Sequence, residues 1–358
     1  MVPHFSPPLA TTLVAGLRDL VAVEGGASDE QARLLRSLAV HLLGLTPDEL
    51  TAIAPLPPEA LAARLPDDDS RRRFLQLGLM LELCRHPRSA AQLQRLEAFS
   101  DAFGIHGVEL RLVQDLFHRT AAEATASFVR CYAAFMPELS SSHGALLVDQ
   151  SKKPGADQGT DPGSDPDDAF FAQVQGLRDC PHGSLGWAFV QFYARNNLPL
   201  PARNTPNPAY YVSHDMNHVI TGYEPTGPGE IALGAFKLAL RNDDANWMAS
   251  LANFLIHEVG LFVHGNDSQF VPYGGDGEPY NGLNGKRGAL DLPGAPELLA
   301  EAWRRGAACS GDFSRLDHLA LASEPLLEIR RRFHVLPLER PMLDEPEFWP
   351  SDGWATAS

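Results

Sequence analysis

The chain has only four cysteines in 358 residues. Cys84, Cys131, Cys180 and Cys309 contain no C-x-x-C pair, so they need not form a disulfide framework, and buried or idle thiols are the simpler reading. Also missing is any run near the roughly 18 to 20 apolar residues that would cross a bilayer. The opening stretch MVPHFSPPLATTLVAGL puts no basic segment ahead of an apolar one, so neither a secretory signal nor an Arg-rich transit peptide is expected. Positive charge is scarce, with 29 Lys and Arg against 45 Asp and Glu and a net charge of −16. Such a field repels phosphate backbones and excludes nucleic acid as a partner. It disfavours anionic lipid surfaces too, while leaving an apolar, peripheral contact with the inner face of a membrane open. The Gly-rich VPYGGDGEPYNGLNGKRG holds neither a P-loop nor a dinucleotide fingerprint, so nucleotide binding is unsupported. A cytoplasmic, soluble protein is expected.

What is present is helical. Ser28-x-x-Gln31, Thr46-x-x-Glu49 and Ser89-x-x-Gln92 have the form of capping boxes, and Pro47 takes a first helical position. Leu93, Leu96, Phe99 and Phe103 then recur at helical spacing before Gly104, a C-cap. From Val108 to Met136 the pattern continues through Leu112, Leu116, Phe117, Phe128, Tyr132 and Phe135, which predicts a bundle of about six helices in the N-terminal part. His41, His86, His106 and His118 are spread singly, without ligand spacing.

Ser151 to Asp168 has no aromatic and no branched apolar residue and reads as a flexible linker. The expected organisation is all-α, with two helical domains joined by this Pro/Gly/Asp-rich tether. Residues 1–145 form the first, 146–168 the linker, 169–340 the second and 341–358 a tail.

In the second half, Leu185, Phe189, Phe192 and Tyr193 line one helix face behind Ser184 as a cap. Asn207-Pro208 opens another helix that stops at Gly222, and GPGEIALGAFKLAL starts the next. DANWMASLANFLIHEVGLFVH, APELLAEAWRRG and SEPLLEIRRRF follow as helices, with a long loop from Asp267 to Leu292. His257-Glu258 with His264 has the wrong spacing for a zinc-protease motif and reads as core or interface. Arg304-Arg305 and the EIRRRF cluster read as solvated helix ends that complement the dipole.

The chemistry concentrates in SHDMNHVITGYEPTGPGE. Four residues apart, His214 and His218 differ by about 40° around a helix axis, with Asp215 inside the same arc of about 100°. Glu230 enters from the first turn of the following helix, so two imidazoles and two carboxylates can converge on a divalent ion. Such donors suit Zn²⁺ first, and Fe²⁺, Mn²⁺ or Co²⁺ nearly as well. Four ligands would close a tetrahedral, structural site, whereas an acid held outside the ligand set would leave a position open. His214, His218 and Glu230 are expected as ligands, with Asp215 either the fourth or the catalytic, proton-handling group.

His214-Asp215-x-x-His218, eleven residues, then Glu230 resembles the metal motif of the coenzyme Q (ubiquinone) biosynthesis protein four family. GSLGWAFVQFY upstream and LAEAWRRGAACSGDFSRLDHLALASEPLLEIRRRFHV downstream extend the resemblance from about Phe170 to Val335. It implies a helical protein that binds a polyprenylated aromatic ring and removes its C1 carboxylate, with hydroxylation, in ubiquinone or another prenylquinone synthesis. A fused N-terminal domain is not part of that family's plan. HPRSAAQLQRLEAFSDAFGI resembles TerB-like tellurite-resistance domains, from which no site is carried over, and an interaction role is expected. The leading expectation is a metal-dependent lyase or oxidative decarboxylase. A prenyl-lipid-binding scaffold for other quinone-biosynthesis proteins, with a structural metal, is the second reading, and a metal-assisted hydrolase the third. A homodimer is compatible with each.

Overall fold

The computed structural model describes residues 5–118, 166–203, 208–261 and 287–340, with 123, 124, 126, 127, 205, 280, 282, 285, 348 and 349. Among them every named element is helical, and the only β pairing is an isolated bridge between Ser184 and Pro325. The all-α expectation holds. The chain forms two compact units, one from residues 1–135 and 226–307, the other from 136–225 and 308–358. Among the described residues no helix is long and apolar enough to cross a membrane. Cys84, Cys180 and Cys309 are free thiols; Cys131 lies outside the described residues.

Among the described residues the first unit begins with seven α-helices: α1 (Pro7–Leu20), α2 (Asp29–Ser37), α3 (Pro47–Ala52), α4 (Pro58–Ala62), α5 (Asp68–Leu83), α6 (Ala90–Phe103) and α7 (Val108–His118). Two of the expected capping boxes form. Ser28 Oγ accepts from Gln31 N while Gln31 Oε1 accepts from Ser28 N, and Thr46 and Glu49 repeat the exchange. The third forms by half. Ser89 Oγ caps Gln92 N, but the buried Gln92 side chain accepts from Gln31 Nε2 at 2.9 Å instead of returning to the Ser89 backbone. Phe99 and Phe103 of α6 pack on Phe74 of α5 at 4.6 and 5.5 Å. Each ring buried in this way contributes about 1.5 to 3 kcal/mol. Gly104 ends α6 at φ +67°, a conformation that costs a residue without Cβ little. Phe128, Tyr132 and Phe135 lie outside the described residues.

The same unit contains α11 (Gly227–Leu240), α12 (Asp244–Asn253) and α13 (Ala295–Ala308). The helix expected to run on from α12 instead changes into a π turn, Phe254–Glu258. The wider turn accommodates an extra residue, and Glu258 at its end is fully buried with hydrogen bonds to His86 and Leu290 N. His264 lies outside the described residues. Arg305 is not the solvated helix-end cation that was expected. It is 2 % exposed, with its guanidinium 5.7 Å from the Phe236 ring centre, because Gly306 lets α13 approach the α11 backbone closely.

The second unit holds α8 (Pro166–Gly176), α9 (Leu185–Arg195), α10 (Pro208–Thr221) and α14 (Leu326–Arg332). The last three residues of the expected linker, Pro166 to Asp168, open α8. Residues 151–165 lie outside the described residues, as do Asn207 and all of 341–358 except 348 and 349. Ser184 Oγ caps α9 by accepting from Trp187 N at 3.2 Å, and Leu185, Phe189, Phe192 and Tyr193 are buried as expected.

Candidate metal centre

Helix α10 carries the two histidines, and its rotation is set from the opposite side. Asn217 Nδ2 donates to the Ser213 carbonyl at 3.0 Å and to the Ser314 carbonyl at 3.4 Å, so its Oδ1 is the atom that faces His318 Nε2 at 3.1 Å. His318 Nε2 therefore carries the proton, and Nδ1 accepts from Ser213 Oγ at 3.2 Å. At the C-terminal end Gly222 takes φ +82°. Beyond it Glu224 accepts from Arg195 at 2.7 Å and from Asn196 at 2.8 Å, which anchors the connection to α9.

On the other face, His218 is completely buried beside the Phe192 ring, 5.8 Å away and nearly parallel. Its Nδ1 stands 3.0 Å from the Tyr223 carbonyl oxygen. A carbonyl only accepts, so Nδ1 bears the hydrogen and the lone pair is left on Nε2. His214, half-buried and stacked on Tyr210 at 5.3 Å, brings its own Nε2 to within 3.1 Å of that lone pair. Two imidazoles meeting through Nε2 share either a proton or a cation. Metal–nitrogen bonds of about 2.0 to 2.1 Å on a tetrahedral zinc separate two nitrogens by roughly 3.3 Å, close to what is seen.

Glu230 lies half-buried in the first turn of α11, a helix capped by Thr226 Oγ. It belongs to the first unit, whereas His214 and His218 belong to the second. Two imidazole nitrogens that meet in this way are donors that suit a divalent transition metal. Asp215 stands beside His214 on α10. Its side chain, 7 % exposed, accepts from the Tyr193 hydroxyl on α9. Burial, with the Asp215 charge and hydrogen bond behind it, pushes the Tyr193 phenol well above its usual range.

The histidine pair was legible from spacing. Tyr193, the Tyr223 carbonyl and the Asn217–His318 clamp were not, because each contributes through a contact between segments.

No family model matches the chain, and no curated protein matches it. A crystal structure of a protein named for ubiquinone biosynthesis, from Nostoc punctiforme, is similar over 75 % of this chain and 99 % of its own, at 14 % identity and a TM-score of 0.31. A likeness of that size carries no argument about fold or activity.

Proposed function

We propose that this chain is a divalent-metal enzyme of ubiquinone or another prenylquinone synthesis, removing the C1 carboxylate from a polyprenylated hydroxybenzoate-type ring. The observation that carries the metal reading is the pair of Nε2 atoms 3.1 Å apart, with the Tyr223 carbonyl holding the hydrogen of His218 on Nδ1. A fixed tautomer on one ring nitrogen is how proteins orient a ligating histidine. The ring chemistry rests on the sequence resemblance alone.

His214, His218 and Glu230 would hold the ion, Zn²⁺ or a redox-active Fe²⁺, Mn²⁺ or Co²⁺ where hydroxylation accompanies decarboxylation. Bound there, the metal would act as a Lewis acid toward a ring phenolate or carboxylate. Three protein donors leave a coordination position open, the arrangement of catalytic and not structural sites. Asp215 then has a separate task. As the acceptor of the Tyr193 hydroxyl, one helical position from His214, it would serve as the base that takes up a proton from the ring substituent and returns it to the ring carbon as carboxylate leaves.

Elemental analysis of the purified protein and of Glu230→Ala tests the site. About one ion per chain, lost in the variant, is expected; a protein that stays empty after incubation with Zn²⁺, Fe²⁺, Mn²⁺ and Co²⁺ would refute the metal reading. Asp215→Asn separates enzyme from scaffold. An enzyme keeps prenyl-lipid binding and loses turnover of prenylated hydroxybenzoate, whereas a prenyl-lipid scaffold with a structural ion loses stability instead.

A further inference from the structure

The turn that fixes the hydrogen of His218 is held from a distant part of the chain. Gly222 follows α10 in the left-handed region, and the next residue, Tyr223, supplies the carbonyl that stands 3.0 Å from His218 Nδ1. A Cβ on Gly222 would lie 2.7 Å from the ring of Trp349. The indole therefore rests directly on the backbone of this turn, in a space that only a residue without Cβ leaves open.

The same stretch is fastened by an arginine. Arg330 Nη1 donates to the Phe348 carbonyl at 2.7 Å, while its Nε and Nη2 donate to the Ile220 and Val219 carbonyls in the last turn of α10. The Trp349 ring centre lies 3.4 Å from the guanidinium carbon, well within the reach of cation–π attraction. Phe348 is the anchor. It is buried, with its ring 5.4 Å from Trp187 of α9 and 5.9 Å from His182. All of these residues belong to the second unit.

We propose that Phe348 and Trp349 form a strap that positions the His218 imidazole through the turn after α10, with Trp349 as the positioning residue. The importance of that ring rests on the reading of His218 as a metal ligand. Two routes lead from the strap to it. By the first, Trp349 covers Gly222 and keeps the Tyr223 carbonyl against Nδ1, so that Nε2 offers its lone pair to an ion. By the second, Arg330 divides its donors between the strap and the end of α10. A displaced strap takes one acceptor and one ring away from the guanidinium that steadies this end. The last carbonyls of a helix have no internal partners, and a buried guanidinium depends on its acceptors, so the loss is passed on to α10.

Filling a core would require only apolar bulk. What the pair meets instead is the backbone of one turn and one guanidinium, and both of these act on the helix that carries His214 and His218. A packing role would change stability and leave the His218 tautomer alone. A positioning role changes the tautomer.

The test uses the full-length protein and reads His218 first without metal. Nitrogen NMR of histidine-labelled protein, with the His218 signals assigned by their loss in His218→Gln, should show a single form with its hydrogen on Nδ1. Trp349→Ala should give a mixture of both tautomers. Trp349→Leu, which keeps apolar bulk and loses the ring, should do the same and serves where the alanine variant does not fold. Trp349→Phe, whose ring again covers Gly222, should restore the single form. In Zn²⁺ titrations against a competing chelator, the alanine or leucine variant should bind at least about tenfold more weakly, the loss expected when a group that orients a ligating histidine is removed. A single Nδ1–H form retained by the alanine or leucine variant would overturn the proposal, whatever happens to the thermal midpoint. If the unsubstituted protein binds no Zn²⁺, the metal reading falls by itself, and the tautomer measurement still decides the strap.

Discussion

His218 shows how one backbone atom sets the chemistry of a side chain. With Nδ1 against the Tyr223 carbonyl, the ring cannot offer Nε2 as a donor unless it becomes a cation. The buried pairing of Asp215 with Tyr193 works by the same logic, since the phenol supplies a donor to an acid with little access to water. Tyr193→Phe removes that donor and should lower stability by about 1 to 3 kcal/mol, measured by urea unfolding. An unchanged midpoint would mean that other groups satisfy Asp215. At this scale the pairing of His214 with His218 was readable in the chain, because residues four apart on a helix share a face whatever surrounds them. The partner of Asp215 was not, because Tyr193 looks like any other member of an apolar helix face.

At the scale of elements, α10 is held at its C-terminal end by an arginine. Arg330 of α14, 2 % exposed, donates to the Val219, Ile220 and Phe348 carbonyls at 2.9 Å or less, with Trp349 over its guanidinium. These carbonyls include two that the end of a helix leaves without internal partners. The EIRRRF cluster is therefore only in part the solvated face expected of it. Arg331 and Arg332 meet Glu328 and Glu324 at the surface, while Arg330 is a buried clamp. Arg330→Met should cost about 3 kcal/mol, and because the clamp grips the turn after His218, it should weaken metal binding along with stability. Equilibrium unfolding and metal titration on the same preparation check both. Close helix approach gives a second prediction. A Cβ on Gly306 would lie 2.1 Å from the Phe236 carbonyl oxygen, so Gly306→Ala should cost at least about 1 to 3 kcal/mol by chemical denaturation. Caps were largely legible, since Ser, Thr and Asp declare helix starts locally. Which of three adjacent arginines turns inward was not.

For the whole molecule, the ionisable groups set a pH window. Asp67 and Glu49 are lowered, each chiefly by a hydrogen bond from backbone N–H at a helix start. A lowered acid contributes stability above its unfolded value and loses it as pH falls through the folded one. Burial raises Glu82 and Glu258, and His86, against its own burial, is raised by Glu258, so their contribution is lost as pH rises. The thermal midpoint should therefore peak between about pH 5 and pH 7 and fall on both sides; a midpoint still rising at pH 9 would contradict the burial argument.

Helical class, the places where most helices start and stop, and the shared face of His214 and His218 were determined by the sequence itself, because periodicity, caps and i, i+4 spacing act over a few residues. Three things were decided only by tertiary structure. Residues 226–307 pack with 1–135, the pair His86 and Glu258 joins positions 172 apart in the chain, and Asp215 accepts from Tyr193, a residue of another helix. Each depends on burial between segments distant in sequence, where one buried hydrogen bond outweighs local preference, and no short-range pattern records it.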